Sequence, residues 1–143
     1  MTGKRETSDF AQEVLSRVKR GRGFTPQVTY DPDGDCIEFI AKPDSFYAER
    51  VDQLLTVYYS RETREVIGSL IKGVSKLLAR IKSNYPNFRI EIQDGKVRLE
   101  HLFTAQLWIY EGEPPKEAVL TYKKLRQVAE EAQAEAELAG LLA

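Results

Sequence analysis

Asp31, Asp33 and Asp35 occupy alternate positions of Tyr30-Asp31-Pro32-Asp33-Gly34-Asp35. That is the spacing at which a calcium loop offers its first three hard oxygen ligands. Such a loop would next require glycine where Cys36 stands and glutamate where Lys42 stands. The segment therefore reads as an Asp/Gly turn, and no metal is expected. His101 is the single histidine, which leaves no pair to hold zinc or to shuttle a proton. A nucleophilic site would have to join it to Cys36 or to a scattered serine, and no Gly-x-Ser-x-Gly or similar motif marks one. Cys36 opens an apolar strand pattern and reads as a small buried residue. Asp31, Asp35, Glu38 and Glu49 could meet across hairpins as a general acid and base. A chain this rich in acid offers such pairs by chance, so no catalytic residue and no cofactor is assigned.

Two basic concentrations could grip phosphate. Lys19, Arg20 and Arg22 lie among Gly21 and Gly23, and Met1 to Gly23 carries six basic against three acidic side chains. Lys72, Lys76 and Arg80 are spaced four apart and would form one stripe if they share a helix. Cations gather at helix C-termini and on solvated faces without any ligand, which is the plainer reading of both groups. Trp108, Tyr110, Phe46 and Tyr47 are large aromatics near predicted strand ends, where a core or a partner can use them.

The whole chain has no field to support the phosphate reading, since 21 Lys and Arg nearly cancel 22 Asp and Glu over 143 residues. Its 42% hydrophobic residues suffice for one core, and the length suits a single domain over 1–143. One cysteine forms no internal disulfide, which fits a reducing compartment, so a cytoplasmic location is expected. No signal-like apolar run opens the sequence and no stretch is long enough to span a bilayer, so no membrane association is expected.

The elements follow from periodicity and turn residues. Phe10, Val14, Leu15 and Val18 predict an amphipathic first helix ending near Gly21. Val28–Tyr30 and Cys36–Ala41 flank the aspartate-rich turn and predict a hairpin. Val51–Tyr59 and Glu65–Ile71 predict a second hairpin after a loop at Pro43, and Val74, Leu77, Leu78 and Ile81 predict a central helix. Phe88–Ile92 and Val97–Leu99 predict a third hairpin around Asp94-Gly95. Residues 101–110 fit either period, and the aromatics incline the reading to a strand. Pro114-Pro115 starts a long last helix, expected over 115–143 and free to project because its second half is mostly Ala and Glu. The fold class expected is α+β, an antiparallel meander of about six strands with N-terminal, central and long C-terminal helices.

The Tyr30-Asp31-Pro32-Asp33-Gly34-Asp35 hairpin, the strand Leu55-Thr56-Val57-Tyr58-Tyr59 and the hairpin end Val66-Ile67-Gly68 resemble, in their order, a family of small prokaryotic domains of unknown function. Its members pair a Tyr-Asp-x-x-x-Asp hairpin with a second hairpin ending in Val-x-Gly, and the likeness covers residues 28–78. It implies a compact antiparallel sheet backed by a helix, in a family with no established activity and with some members thought to accompany toxin genes. The chain departs from the pattern at Glu38, where an aromatic is usual, and at Leu70, near an expected acid. The leading functional expectation is a protein-binding or regulatory module acting through a surface, with another protein or with itself. Trp108, Leu138, Leu141 and Leu142 are its interface candidates, since a projecting tail would leave its leucines wet. The alternatives are a nucleic-acid-associated protein using Lys19, Arg20, Arg22, Lys72, Lys76 and Arg80, and last a small enzyme built on a carboxylate or His101.

Overall fold

A computed structural model describes residues 24–84, 92–93, 95–110 and 112–138. The first predicted helix, the segment 85–91 and the last five residues, Leu141 and Leu142 among them, lie outside the described residues.

The main sheet has five strands. β1 (Gln27–Asp31) and β2 (Cys36–Ile40) form the first hairpin, with Asp31 opposite Cys36. The turn is made as its residues require: the Asp33 amide donates to Asp31 Oδ1 at 3.0 Å, and Asp35 takes a left-handed φ of 51°. β4 (Leu55–Ser60) and β5 (Val66–Lys72) form the second hairpin, with a bulge at Tyr58/Tyr59. Its turn is held by Ser60 Oγ, which accepts the amides of Glu62 and Thr63.

An additional strand, β3 (Phe46–Arg50), forms the far edge beside β4. The loop reading after Pro43 missed it because only Phe46 of its five residues is buried. The predicted strand from Val51 begins instead at Leu55, because Asp52 Oδ1 accepts the amides of Leu54 and Leu55 and turns the chain. Strand order is β1-β2-β5-β4-β3, all antiparallel. The α+β class is as expected, but the main sheet has five strands where about six were predicted, and β2 neighbours β5 where a simple meander would place β3.

Gly73, at φ 65°, ends β5 and admits α1 (Val74–Asn84). A second sheet holds β6 (Ile92–Gln93), β7 (Lys96–Arg98) and β8 (Glu135–Glu137), in that order. The turn at Gly95, φ 74°, joins its first two strands as predicted. Residues 101–110 are not a strand. Residues 101–108 belong to α2 (Leu99–Trp108), which ends before Ile109 and Tyr110 and whose Leu99, Leu102, Phe103 and Gln106 are all at most 1% exposed. That is helical spacing, and burying the set outweighs the strand preference of the aromatics.

α3 (Lys116–Ala132) starts after Pro115 but does not run to the C-terminus. Gln133 adopts a left-handed φ of 52°, the Ala134 amide closes onto Ala129 O at 3.0 Å, and the chain returns as β8. There Arg98 faces Glu135, Lys96 faces Glu137, and Val97 faces Ala136. High helix propensity is worth only about 0.5 kcal/mol per residue. Burying Leu138, at 1% exposure, is worth about 2 kcal/mol and rewards the return. The expected projecting helix over 115–143 is thus replaced by a helix ending at Ala132 and a paired strand.

The two faces of the main sheet differ. Ile37, Phe39, Leu55, Val57 and Ile71 point to one side and form the main core with residues of α1, α2, α3, β7 and β8. Ile40, Phe46, Tyr58, Ile67 and Leu70 form a separate apolar cluster with Phe24 and Cys36 packed against it.

Candidate functional site

The second face is organised by Tyr58. Cross-strand register places Ile40, Gly68, Tyr58 and Ala48 in one row, and Thr29, Glu38, Leu70, Thr56 and Arg50 in the next. Gly68 has no side chain between Ile40 and Tyr58, so the Tyr58 ring lies against it; a Cβ on Gly68 would stand 3.2 Å from Tyr58 Cδ2. The phenol thereby reaches over β5 and donates to Glu38 Oε2 on β2 at 2.7 Å. Phe46 stacks on Tyr58 at 4.4 Å between ring centroids.

Burial pushes Glu38 above the usual carboxylate range, and the hydrogen bond from Tyr58 opposes this without cancelling it. Burial, then the nearby Glu38 charge and hydrogen bond, drives the Tyr58 phenol far up, so it remains a proton donor. Cys36, on the same face, is raised by burial and then by Asp31, Glu38 and Asp35, with Lys72 opposing; its thiol is a poor nucleophile.

Because the folded pKa of Glu38 is raised, folding is favoured when the group is protonated, and that contribution is lost as pH rises through the folded value. Glu38→Gln keeps an acceptor for Tyr58 and removes the buried charge. Its melting temperature should exceed that of the parent at pH 7, and the difference should shrink as pH falls toward about 4, the ordinary carboxylate value. A variant less stable than the parent at pH 7 would show that the charge itself holds the face together. Thermal scans across this pH range make the comparison.

Three of the four carboxylates considered for catalysis are engaged elsewhere, and the fourth, Glu49, is exposed. Asp31 closes the turn, and Glu38 binds Tyr58. Asp35 accepts from Tyr30 Oη at 2.9 Å, the Ser75 amide at 3.1 Å and Ser75 Oγ at 2.6 Å, and so caps α1. Glu49 lies on β3, where its charge adds to the burial that raises Tyr59. Among the described residues no group of three or more His, Cys, Asp or Glu could hold a metal ion. Buried polar atoms without a hydrogen-bond partner occur on Ser69, Glu100, His101 and Gln106. Three of these share α2, but a helix turns about 100° per residue, so Glu100, His101 and Gln106 leave it in different directions and build no common pocket.

The remaining candidates are also dispersed. Lys72 ends β5, opposite Cys36 on the second face, and is not on a helix, so the three-residue stripe does not form. Lys76 and Arg80 are exposed on α1, and Arg80 donates to Ile109 O at 3.3 Å. Lys19, Arg20 and Arg22 lie outside the described residues. Trp108 is 58% exposed at the end of α2, whereas Leu138, expected at an interface, is buried in the chain's own core. Tyr47, 36% exposed, stacks on Tyr59 on the main-core side. Sequence reasoning overlooked the pairing of Glu38 with Tyr58, for which the only signal was an acid in an otherwise apolar strand.

No family model, curated protein or solved structure matches the chain. Among the described residues no helix is long and apolar enough to cross a membrane.

Proposed function

We propose that the protein is a protein-binding module of the cytoplasm whose docking surface is the second face of the main sheet. The observation that carries this reading is the separate apolar cluster Ile40, Phe46, Tyr58, Ile67 and Leu70, to which no described helix contributes a residue; its members are at most 9% exposed, and the surface offered to a partner is the exposed margin of their rows at Gln27, Thr29, Ala48 and Arg50. A sheet that needed only a foundation for its helices would have one apolar face and one solvated face. The Glu38–Tyr58 pair supplies a polar centre to an apolar surface, a combination suited to specificity. The resemblance of residues 28–78 to the hairpin family agrees with a small module of this kind. The nucleic-acid reading retains only Lys76 and Arg80 on one described helix, and the enzyme reading has no set of converging groups among the described residues.

Ala48 is exposed and shares a row with Tyr58, which makes it a reporter for the face. With a photoreactive benzoylphenylalanine at Ala48, the expected result in native extract is a covalent adduct with one protein, unchanged by nuclease. The same group at Leu120, 58% exposed on α3, should give none. Equal labelling from both positions, or loss of the adduct with nuclease, would overturn the reading.

A further inference from the structure

The two edges of the main sheet differ. β8 of the second sheet lies beside β1, whereas β3 ends the strand order and no described strand pairs with its outer side. α3 packs over β5, at the middle of the sheet, and leaves β3 at the rim. Tyr47, Ala48, Glu49 and Arg50 are all exposed. An open edge is ordinarily blunted by proline, lysine or a bulge of its own, and Phe46-Tyr47-Ala48-Glu49-Arg50 has none of these.

Hydrogen bonding at the two ends of the strand fixes which backbone groups this edge offers. The Arg61 amide donates to Ser45 O at 2.8 Å, and the Val51 amide donates to Leu55 O at 2.9 Å. Ser45, Tyr47, Glu49 and Val51 therefore turn their amides and carbonyls toward β4, and antiparallel alternation leaves those of Phe46, Ala48 and Arg50 aimed outward. Arg61 Nε donates to Phe46 O at 3.3 Å, which leaves that carbonyl a second lone pair.

The strand is complementary to itself. Laid antiparallel on a second β3, it pairs over its whole length in one register, with Ala48 facing Ala48, and each offered amide then meets an offered carbonyl. Phe46 faces Arg50 and Tyr47 faces Glu49, so no like charges stand opposite one another. Centring on Glu49 or Arg50 instead would oppose two like charges and pair fewer residues. The two-fold axis through the Ala48 pair is perpendicular to the sheet, so both second faces lie on one side. The row Ile40, Gly68, Tyr58, Ala48 then runs on into the second copy.

We propose that β3 is a self-association edge: two copies of this chain pair antiparallel along Phe46–Arg50 about Ala48, joining their five-stranded sheets into one. This rests on reading the margin at Ala48 and Arg50 as a binding surface, and it names the partner there as a second copy of the chain.

Sedimentation of the purified full chain over a micromolar concentration series should show a reversible doubling of mass. Ala48→Pro removes an outward amide and costs β3 no bond to β4. It should stay monomeric over the same series while circular dichroism shows the sheet intact. With Cys36→Ser in place, Ala48→Cys should oxidise to a disulfide-linked dimer, because facing residues of a hydrogen-bonded pair lie about 5.5 Å apart at Cα, within disulfide reach. Leu120→Cys, exposed on α3, should give none, and this comparison reads the same contact if Ala48→Pro unfolds. A monomer at every concentration, a dimer that Ala48→Pro leaves intact, or equal disulfide yields at the two positions would overturn the pairing. The photoreactive group at Ala48 separates this from the docking reading. An adduct between two copies of the chain supports the pairing, whereas an adduct with a different protein overturns it and leaves the docking surface standing.

Discussion

Gly68→Ala should destabilise the protein by about 3 kcal/mol or more, a large share of the roughly 5–15 kcal/mol that holds a domain together. The added Cβ would stand 2.2 Å from the carbonyl oxygen of Phe39 on the neighbouring strand. That oxygen belongs to backbone in the middle of the sheet, so it cannot swing aside as a flexible side chain would. Relief requires β2 and β5 to separate where Ile40 faces Gly68, between the two apolar clusters.

Gly112 is the control. It has the left-handed φ of 75° that Gly68 lacks, yet a Cβ there meets nothing within 4 Å. Gly112→Ala should cost only the conformational penalty of about 1–2 kcal/mol. Chemical denaturation of both variants gives the comparison, and Gly112→Ala proving the more harmful would refute the steric argument. Adding Tyr58→Ala to Gly68→Ala should bring no rescue, because the Tyr58 ring is the looser of the two contacts.

This glycine shows where legibility in the sequence ends. The hairpins around 32–35 and 61–65 and the helix from Val74 were readable, because β-formers, turn residues and apolar spacing act over a few neighbours. β3 was not readable, since an edge strand with four exposed residues has little apolar alternation to display. α2 was ambiguous because its residues suit either period in isolation, and only the other elements of the main core decide which face is buried. The end of α3 at Gln133 depends on Ala136 and Leu138 finding Val97 and the rest of the core, which local helix propensity does not report. At the site, Glu38 and Tyr58 are 20 residues apart and meet over a position whose significance is the absence of a side chain. No local spacing encodes that arrangement.

Asp35→Ala should be the second most damaging substitution, at about 3 kcal/mol. The Tyr-Asp-x-x-x-Asp hairpin is as much a helix cap as a turn, because Asp35 spans forty residues to hold the amide and hydroxyl of Ser75. Loss of an N-cap costs about 1 kcal/mol, and the hydrogen bonds to a carboxylate add a comparable amount after allowance for solvent. Alanine at a φ of 51° adds about 1 kcal/mol more. Asp35→Asn tolerates that φ and keeps an acceptor, so it should lose about half as much.

The pH dependence distinguishes this site from Glu38. Burial alone would raise Asp35, but the hydrogen bonds from Ser75 and Tyr30, helped by Lys76, outweigh it and hold the carboxyl below its ordinary value. A depressed folded pKa gives stability that is present above the unfolded value and lost as pH falls through the folded one. The deficit of Asp35→Asn should therefore be full at pH 7 and shrink below about pH 4. Tyr30 responds from the other side of the same bond: burial, then its hydrogen bond to Asp35 and the charge there, pushes its phenol up to about 12. In Asp35→Asn the phenol should titrate lower, which ultraviolet difference spectra at alkaline pH would record. An unchanged Tyr30 titration together with a pH-independent stability deficit would mean that Asp35 acts through its backbone conformation alone.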